Sequence, residues 1–66
     1  MFRVGDTIRG LPGNGYSLTG DAMTRAVVTR CDPDNIMWVL IVEHQNRAVI
    51  GSSYPVFNSE KLFERI

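Results

Sequence analysis

The amino-acid sequence predicts a small all-β fold. Its β-branched and aromatic residues fall into short runs, and clusters of Gly, Pro, Asn and Asp separate these runs. The chain has 66 residues, of which 44% are apolar and 21% are charged, a composition typical of one globular domain. We therefore expect a single domain, residues 1–66, built from four or five short strands.

The strands are assigned in chain order from these runs. The predicted strands are residues 6–10, 25–31, 36–43, 48–57 with an irregularity at 51–53, and a short final piece that ends at residue 66. The segment "DPDN" predicts a tight turn after the second strand, because Pro33 presets φ and Asp34 and Asn35 tolerate a left-handed backbone.

Two further connections have recognisable turn chemistry. The segment "HQNR", residues 44–47, predicts a second hairpin connection with Asn46 at positive φ. The segment "NSEKLF" offers Asn58 or Ser59 as an N-cap, which predicts one helical or 3₁₀ turn near the C-terminus.

Four of the six glycines lie between Gly10 and Gly20, around "GNGYSLTG". No helical pattern follows this stretch, and a Gly-Lys-Ser/Thr step is absent, so a phosphate-binding loop of the standard kinds is not favoured. We expect a long ordered loop whose reversals use Gly13, Gly15 and Gly20. In this interpretation Tyr16 and Leu18 pack back onto the sheet edge. Such loops often carry binding residues.

The opening "FRVGDTIRG", the long irregular loop, three strands joined by tight turns, the short "NSEKL" and the closing "FERI" together resemble an SH3-like small β-barrel. The same arrangement is similar to small proteins of bacteriophage and prophage genomes. The resemblance spans nearly the whole chain. It implies a barrel of about five short strands with a long first loop and one 3₁₀ or helical turn near the C-terminus, and a non-enzymatic module of phage type.

The third strand is apolar on both faces. In "IMWVLIV" the residues of one face are Ile36, Trp38, Leu40 and Val42, and those of the other are Met37, Val39 and Ile41. A small antiparallel sheet normally shows one polar face to water. Either the long loop or a terminus folds over the second face, or a homo-oligomer buries it between subunits. The register that decides which face is inward is not readable from the pattern.

Charge and cysteine content limit the classes of partner. Seven Lys and Arg balance seven Asp and Glu, so no overall attraction to nucleic acid or to an anionic membrane is expected. The lone Cys31 is expected to be buried or half-buried, and a single thiol is typical of a reducing compartment. The longest apolar run is too short to span a bilayer. These features predict a cytoplasmic protein, in the host cytoplasm if the chain is phage-encoded.

Catalytic groupings are sparse. His44 is the only histidine, and it is expected to be a solvated or capping residue at a hairpin end. The hydroxyl groups of Ser17, Thr19, Ser52 and Ser53 have no identifiable base and orienting partner. The sequence therefore predicts a protein without enzymatic activity, metal or cofactor.

Candidate ligand-binding residues are polar and aromatic side chains at strand ends and in irregular segments. Tyrosines offer flat amphipathic surfaces, arginines offer forked donors for phosphate or carboxylate, and the others add hydrogen bonds. The candidates are Tyr16, Thr19, Asp21, Arg25, His44, Asn46, Arg47 and Tyr54. For the tyrosines, ordinary packing within the fold is an equal alternative to ligand contact. For the arginines, the alternative is a solvated surface position. The segment "TGD" also fits plain turn chemistry.

Three functional classes follow from these observations. The first is an oligomeric binding module that sequesters or blocks a host protein or a small anionic, nucleotide-derived signal during phage infection. The second is a nucleic-acid-binding SH3-like barrel, which the balanced charge disfavours. The third is a structural or assembly component of a virion, for which self-association is equally natural.

Overall fold

The computed structural model describes residues 1–66 and consists of five strands and one 3₁₀ helix. The strands are β1 (Thr7–Gly10), β2 (Met23–Asp32), β3 (Ile36–His44), β4 (Ser53–Phe57) and β5 (Phe63–Arg65), and the 3₁₀ helix is Arg47–Val49. They form one antiparallel sheet in the order β4-β3-β2-β1-β5. The all-β class predicted from the sequence is confirmed. The sheet is open, because β4 and β5 are its two edges and do not pair.

The β2–β3 hairpin is the longest element, with strands of ten and nine residues. Its turn follows the predicted chemistry, since Asp34 and Asn35 have φ of 67° and 59°. Both strands extend beyond the predicted bounds, and β2 begins two residues earlier, at Met23. This hairpin supplies the scaffold on which the other strands pair.

The connection from β3 to β4 differs from the prediction. A tight hairpin at residues 44–47 was expected, but the chain forms the 3₁₀ helix and β4 begins only at Ser53. Asn46 has φ of −97°, so its prediction at positive φ is wrong. Gly51, at φ of 90°, provides the left-handed residue instead. Asn46 caps the 3₁₀ helix, because its side-chain oxygen accepts the N–H of Ala48 at 3.0 Å.

The turn expected near the C-terminus is present as a hydrogen-bonded turn. The N–H groups of Leu62 and Phe63 donate to the carbonyl oxygen of Ser59 at 3.1 and 3.2 Å. The Ser59 hydroxyl accepts the N–H of Lys61 at 3.2 Å, as an N-cap does. The segment does not continue into a 3₁₀ helix, and the chain's one 3₁₀ helix lies in the β3–β4 connection.

The hydrophobic core lies on one side of the sheet. Met37, Val39 and Ile41 point into it and are at most 1% exposed, which settles the register of β3. The other buried apolar residues are Phe2, Ile8, Met23, Ala26, Val28 and Phe63. The opposite face of β3, with Ile36, Trp38, Leu40 and Val42, therefore points away from the core.

Asn58 fixes the N-terminal segment to the end of β4. Its Oδ1 accepts the N–H of Phe2 and its Nδ2 donates to the Phe2 carbonyl, both at 2.9 Å. These two bonds hold the Phe2 ring in the core. The Cys31 thiol also reaches the Phe2 carbonyl, at 3.7 Å. Cys31 is exposed, contrary to the prediction, because it lies near the end of β2, past the last buried residue of that strand.

The long loop, residues 11–22, closes through a backbone contact between Gly10 and Gly20. A Cβ atom at Gly10 would overlap the Gly20 carbonyl, and one at Gly20 would overlap the carbonyl oxygens of Asn14 and Tyr16. Only glycine permits this approach. Of the other loop glycines, Gly13 has φ of 87°, whereas Gly15 has open space around it and no positive φ, so the reversal expected there is absent.

Gly10→Ala is expected to destabilise the fold by about 2–3 kcal/mol, because its methyl group would overlap the Gly20 carbonyl and the backbone must move to admit it. Gly15→Ala is the matched control and should change the free energy of unfolding by less than about 1 kcal/mol. Urea unfolding of both variants measures the difference. Equal midpoints would show that the glycine contact does not hold the loop.

Val39→Glu is expected to prevent folding, because it places a carboxylate in the core. Leu40→Glu, one residue along and on the opposite face, should leave the circular dichroism spectrum of the wild-type chain intact. A folded Val39→Glu variant would contradict the register of β3.

Candidate functional site

An apolar surface lies on the part of the sheet, formed by β2, β3 and β4, that faces away from the core. Register places Val27 beside Leu40, Pro55 beside Trp38 and Phe57 beside Ile36 on the same face. We call this surface the outer apolar face; its residues are Val27, Ile36, Trp38, Leu40, Val42, Pro55 and Phe57. Val42 and Phe57 are 43% and 58% exposed, so the chain leaves this face open at both ends.

A polar cluster orders one end of the outer apolar face. The Arg30 guanidinium lies 5.1 Å from the centre of the Trp38 ring, and it donates to Asp32 at 2.8 Å. The indole N–H of Trp38 donates to the same carboxylate oxygen at 3.2 Å. The hydrogen bond from Arg30 and then its positive charge, with a smaller effect of the Trp38 hydrogen bond, hold the pKa of Asp32 below its ordinary value of 3.8. Trp38 is thereby fixed across the face.

An apolar pocket of about 300 Å³ lies where the long loop meets the end of β4 and the start of β5. We call it the seam pocket; it is lined by Tyr16, Thr19, Ile36, Pro55, Val56, Phe57, Leu62 and Phe63. Asn14 holds the loop here, because its Nδ2 donates to the Leu62 carbonyl at 2.9 Å. Tyr16 borders the pocket and is 60% exposed. The prediction that Tyr16 packs back onto the sheet edge is therefore wrong.

A polar cleft of about 590 Å³ lies at the base of the long loop. This loop-base cleft is lined by Arg9, Gly10, Pro12, Asp21, Thr24, Arg25, Glu43, Gln45 and Ile66. Arg9 is paired with Glu64. The Thr24 hydroxyl donates to Glu43 at 2.8 Å, whereas Arg25 forms no ion pair within the chain. Arg25 is therefore the free cation of the cleft.

The remaining candidates lie outside both concavities. His44 was expected to be solvated or capping; it is only 8% exposed, so it is not solvated, because it lies opposite the buried Met23 in the β2–β3 pairing. Its Nδ1 accepts the N–H of Asn46 at 2.8 Å, and its Nε2 is buried without a partner. Tyr54 packs against the core, and Arg47 is an exposed residue of the 3₁₀ helix.

The structure therefore divides the predicted residues into three groups. It places Tyr16 and Thr19 at the seam pocket and Asp21 and Arg25 at the loop-base cleft; His44, Asn46, Arg47 and Tyr54 join neither. The sequence analysis missed the cluster of Arg30, Asp32 and Trp38. The sequence does contain the spacing Arg30-x-Asp32 on β2, which places the two side chains on the same face of the strand. That Trp38 lies beside them depends on the register of the hairpin.

Metal-binding groups, membrane-spanning helices and matching proteins are all absent. No group of three or more His, Cys, Asp and Glu side chains is arranged to hold a metal ion. No helix in the structure has the length and apolar character to cross a membrane. Comparison with protein-family models, curated proteins and solved structures gives no match.

Acidification should release Trp38 from Asp32. Because the folded-state pKa of Asp32 is lowered, its stabilising contribution is present above pH 3.8 and is lost as the pH falls through that lowered pKa. We expect a change in Trp38 fluorescence with a midpoint below pH 3.8.

Asp32→Asn should abolish that change. Asp6→Asn is the control, because Asp6 also pairs with an arginine, Arg65, but does not contact Trp38. A transition that persists in Asp32→Asn would contradict the assignment.

Proposed function

We propose that this chain is a non-enzymatic binding module of the SH3-like small-barrel type, similar to those of bacteriophage genomes, and that it binds its partner through the outer apolar face. The strand order β4-β3-β2-β1-β5 and the long first loop support the SH3-like part of the proposal. In this view β4 and β5 are the two margins of an incompletely closed barrel. A host-cell cytoplasmic location is part of the same proposal.

The outer apolar face is the observation that carries the binding function. Contiguous exposed apolar patches are uncommon on small monomeric proteins and mark interaction sites. Trp38 lies on this face between Arg30 and Pro55, and tryptophan is enriched among the residues that dominate binding energy at interfaces. The polar cluster of Arg30 and Asp32 fixes the Trp38 ring before a partner arrives, which lowers the entropy lost on binding.

The chemistry of the remaining surfaces supports binding and not catalysis. A general base needs a free lone pair beside a cleft that admits substrate. His44 meets neither condition, since its Nδ1 accepts a backbone N–H and its Nε2 is buried. The serine and threonine hydroxyls have no other histidine to activate them.

Zero net charge argues against nucleic acid as the partner, because phosphate contacts dominate that affinity. A protein partner, either a blocked host factor or a virion component, suits an apolar face better.

The proposal is tested by affinity capture from infected cells, with the wild-type chain and Leu40→Glu as baits. Leu40→Glu should lower retention of a bound protein at least tenfold, about 1.4 kcal/mol. Val4→Glu is the matched control, because Val4 is 63% exposed but lies outside the outer apolar face. Equal retention by both variants would reject the face as the binding surface.

A second candidate function is capture of a small anionic, nucleotide-derived ligand in the loop-base cleft. The unpaired Arg25 guanidinium favours it, since such a group binds phosphate through forked hydrogen bonds. The cleft volume of about 590 Å³ is large enough for a nucleotide.

Calorimetric titration with linear and cyclic nucleotides tests the second candidate. Arg25→Ala should abolish the heat of binding, and Arg47→Ala should not, because Arg47 lies outside the cleft. No binding up to about 100 μM, roughly −5.5 kcal/mol, would reject it.

A further inference from the structure

We infer that the outer apolar face binds a second copy of this chain, related by a two-fold axis that runs along the boundary between β2 and β3. The inference rests on the proposed function, because it names the partner of the same face. In this arrangement the two sheets pack face to face, and β2 of each subunit lies over β3 of the other.

The charges at one end of the face are complementary under this axis. Arg25 of β2 lies directly opposite Glu43 of β3 in the sheet register. The two side chains do not form an ion pair within the chain, although both are exposed. The axis exchanges β2 and β3, so each Arg25 faces the partner subunit's Glu43. Two ion pairs form between subunits, and neither charge is left unpaired.

The apolar rows are complementary in the same way. Val27 lies opposite Leu40, so the axis places Val27 over the partner subunit's Leu40 and repeats this contact by symmetry. In the next row Arg30 lies opposite Trp38, so the axis places Arg30 over the partner subunit's Trp38. This contact repeats the cation–aromatic pair that the two residues form within the chain. These three rows of the β2–β3 hairpin, Arg25–Glu43, Val27–Leu40 and Arg30–Trp38, therefore match themselves when turned over, as a two-fold interface requires.

The dimensions allow this packing. Packed sheets lie about 10 Å apart and cross at about 30°. Arg25 is two residues from Val27 and, because of a β-bulge, Glu43 is three residues from Leu40. This row therefore lies about 7–10 Å along the strands, and the crossing angle displaces it by about 3.5–5 Å. The long side chains of Arg25 and Glu43 span that displacement. A standard interface buries about 800 Å² per partner, about a fifth of this chain's surface of 4160 Å².

The sheet edge is a poorer place for a second copy. The backbone N–H of Asn58 donates to the Asn35 carbonyl oxygen at 2.6 Å. Because the backbone groups of successive residues in a strand point to opposite sides, those of Phe57 and Pro55 point to the free edge of β4. Pro55 has no N–H to donate there, which disfavours edge-to-edge pairing of β4. Self-association through the face is therefore favoured over strand addition at the β4 edge.

The test uses two charge reversals, Arg25→Glu and Glu43→Arg. In a dimer of either variant alone, residues 25 and 43 of opposite subunits carry like charges at both symmetry-related contacts. Each variant should therefore weaken dimerisation at least tenfold. Mixed in equal amounts, they form a heterodimer in which both pairs are again opposite in charge. The mixture should therefore recover dimerisation to within about threefold of the wild-type chain. A contact within one chain could not produce this recovery.

Size exclusion with light scattering gives the readout, as the shift from 7.4 kDa to twice that mass. Circular dichroism checks that each variant is folded, and Arg47→Glu controls for charge reversal at an exposed arginine outside the face. Leu40→Glu gives a charge-independent loss of dimer. A dimeric wild-type chain whose variants fail to recover on mixing would overturn the inferred axis.

A wild-type chain that stays at 7.4 kDa at all concentrations would overturn the inference as a whole. The proposed function would still stand if Leu40→Glu lost a captured foreign protein. Both would fall if Leu40→Glu changed neither the mass nor the capture.

Discussion

The backbone contact between Gly10 and Gly20 is the constraint on which the arrangement of surfaces depends. It ends β1 and returns the chain to the start of β2, so that twelve loop residues form one compact excursion. Closure also brings Asn14 to the Leu62 carbonyl, which joins the loop to the strand at the sheet edge. The seam pocket and the loop-base cleft lie at this loop, and residues of the loop line both.

The outer apolar face follows from the size of the chain. Nine buried apolar residues make the core, and all of them pack on one side of the sheet. The N-terminal segment, held by Asn58, closes that side, and the long loop is engaged at β5. Both segments are therefore engaged away from Trp38 and Leu40. A small domain buries a modest share of its surface, so covering this face with a partner adds stability by mass action.

Local chemistry was predictable from the sequence, and contacts between distant residues were not. The turn at Asp34 and Asn35 was predicted because its backbone preferences lie in those residues themselves. Asn46 has similar preferences, yet it caps the 3₁₀ helix because Gly51 supplies the left-handed residue further on. The burial of His44, the exposure of Cys31 and the polar cluster at Trp38 all depend on register, which single-strand patterns do not contain. The two apolar faces of β3 were visible, but the choice between them needed the whole sheet.

Arg25 connects the two binding modes that we propose for these surfaces. Its guanidinium borders the loop-base cleft, and in the inferred dimer it also faces the partner subunit's Glu43. A phosphate that occupied Arg25 would leave that glutamate without its cation, so an anionic ligand bound there opposes self-association. By linkage the effect is reciprocal: dimerisation lowers the affinity for the anion by the same factor. Anion binding in the loop-base cleft and dimerisation through the outer apolar face therefore compete for the Arg25 side chain. A ligand shared by both subunits at Arg25 is disfavoured.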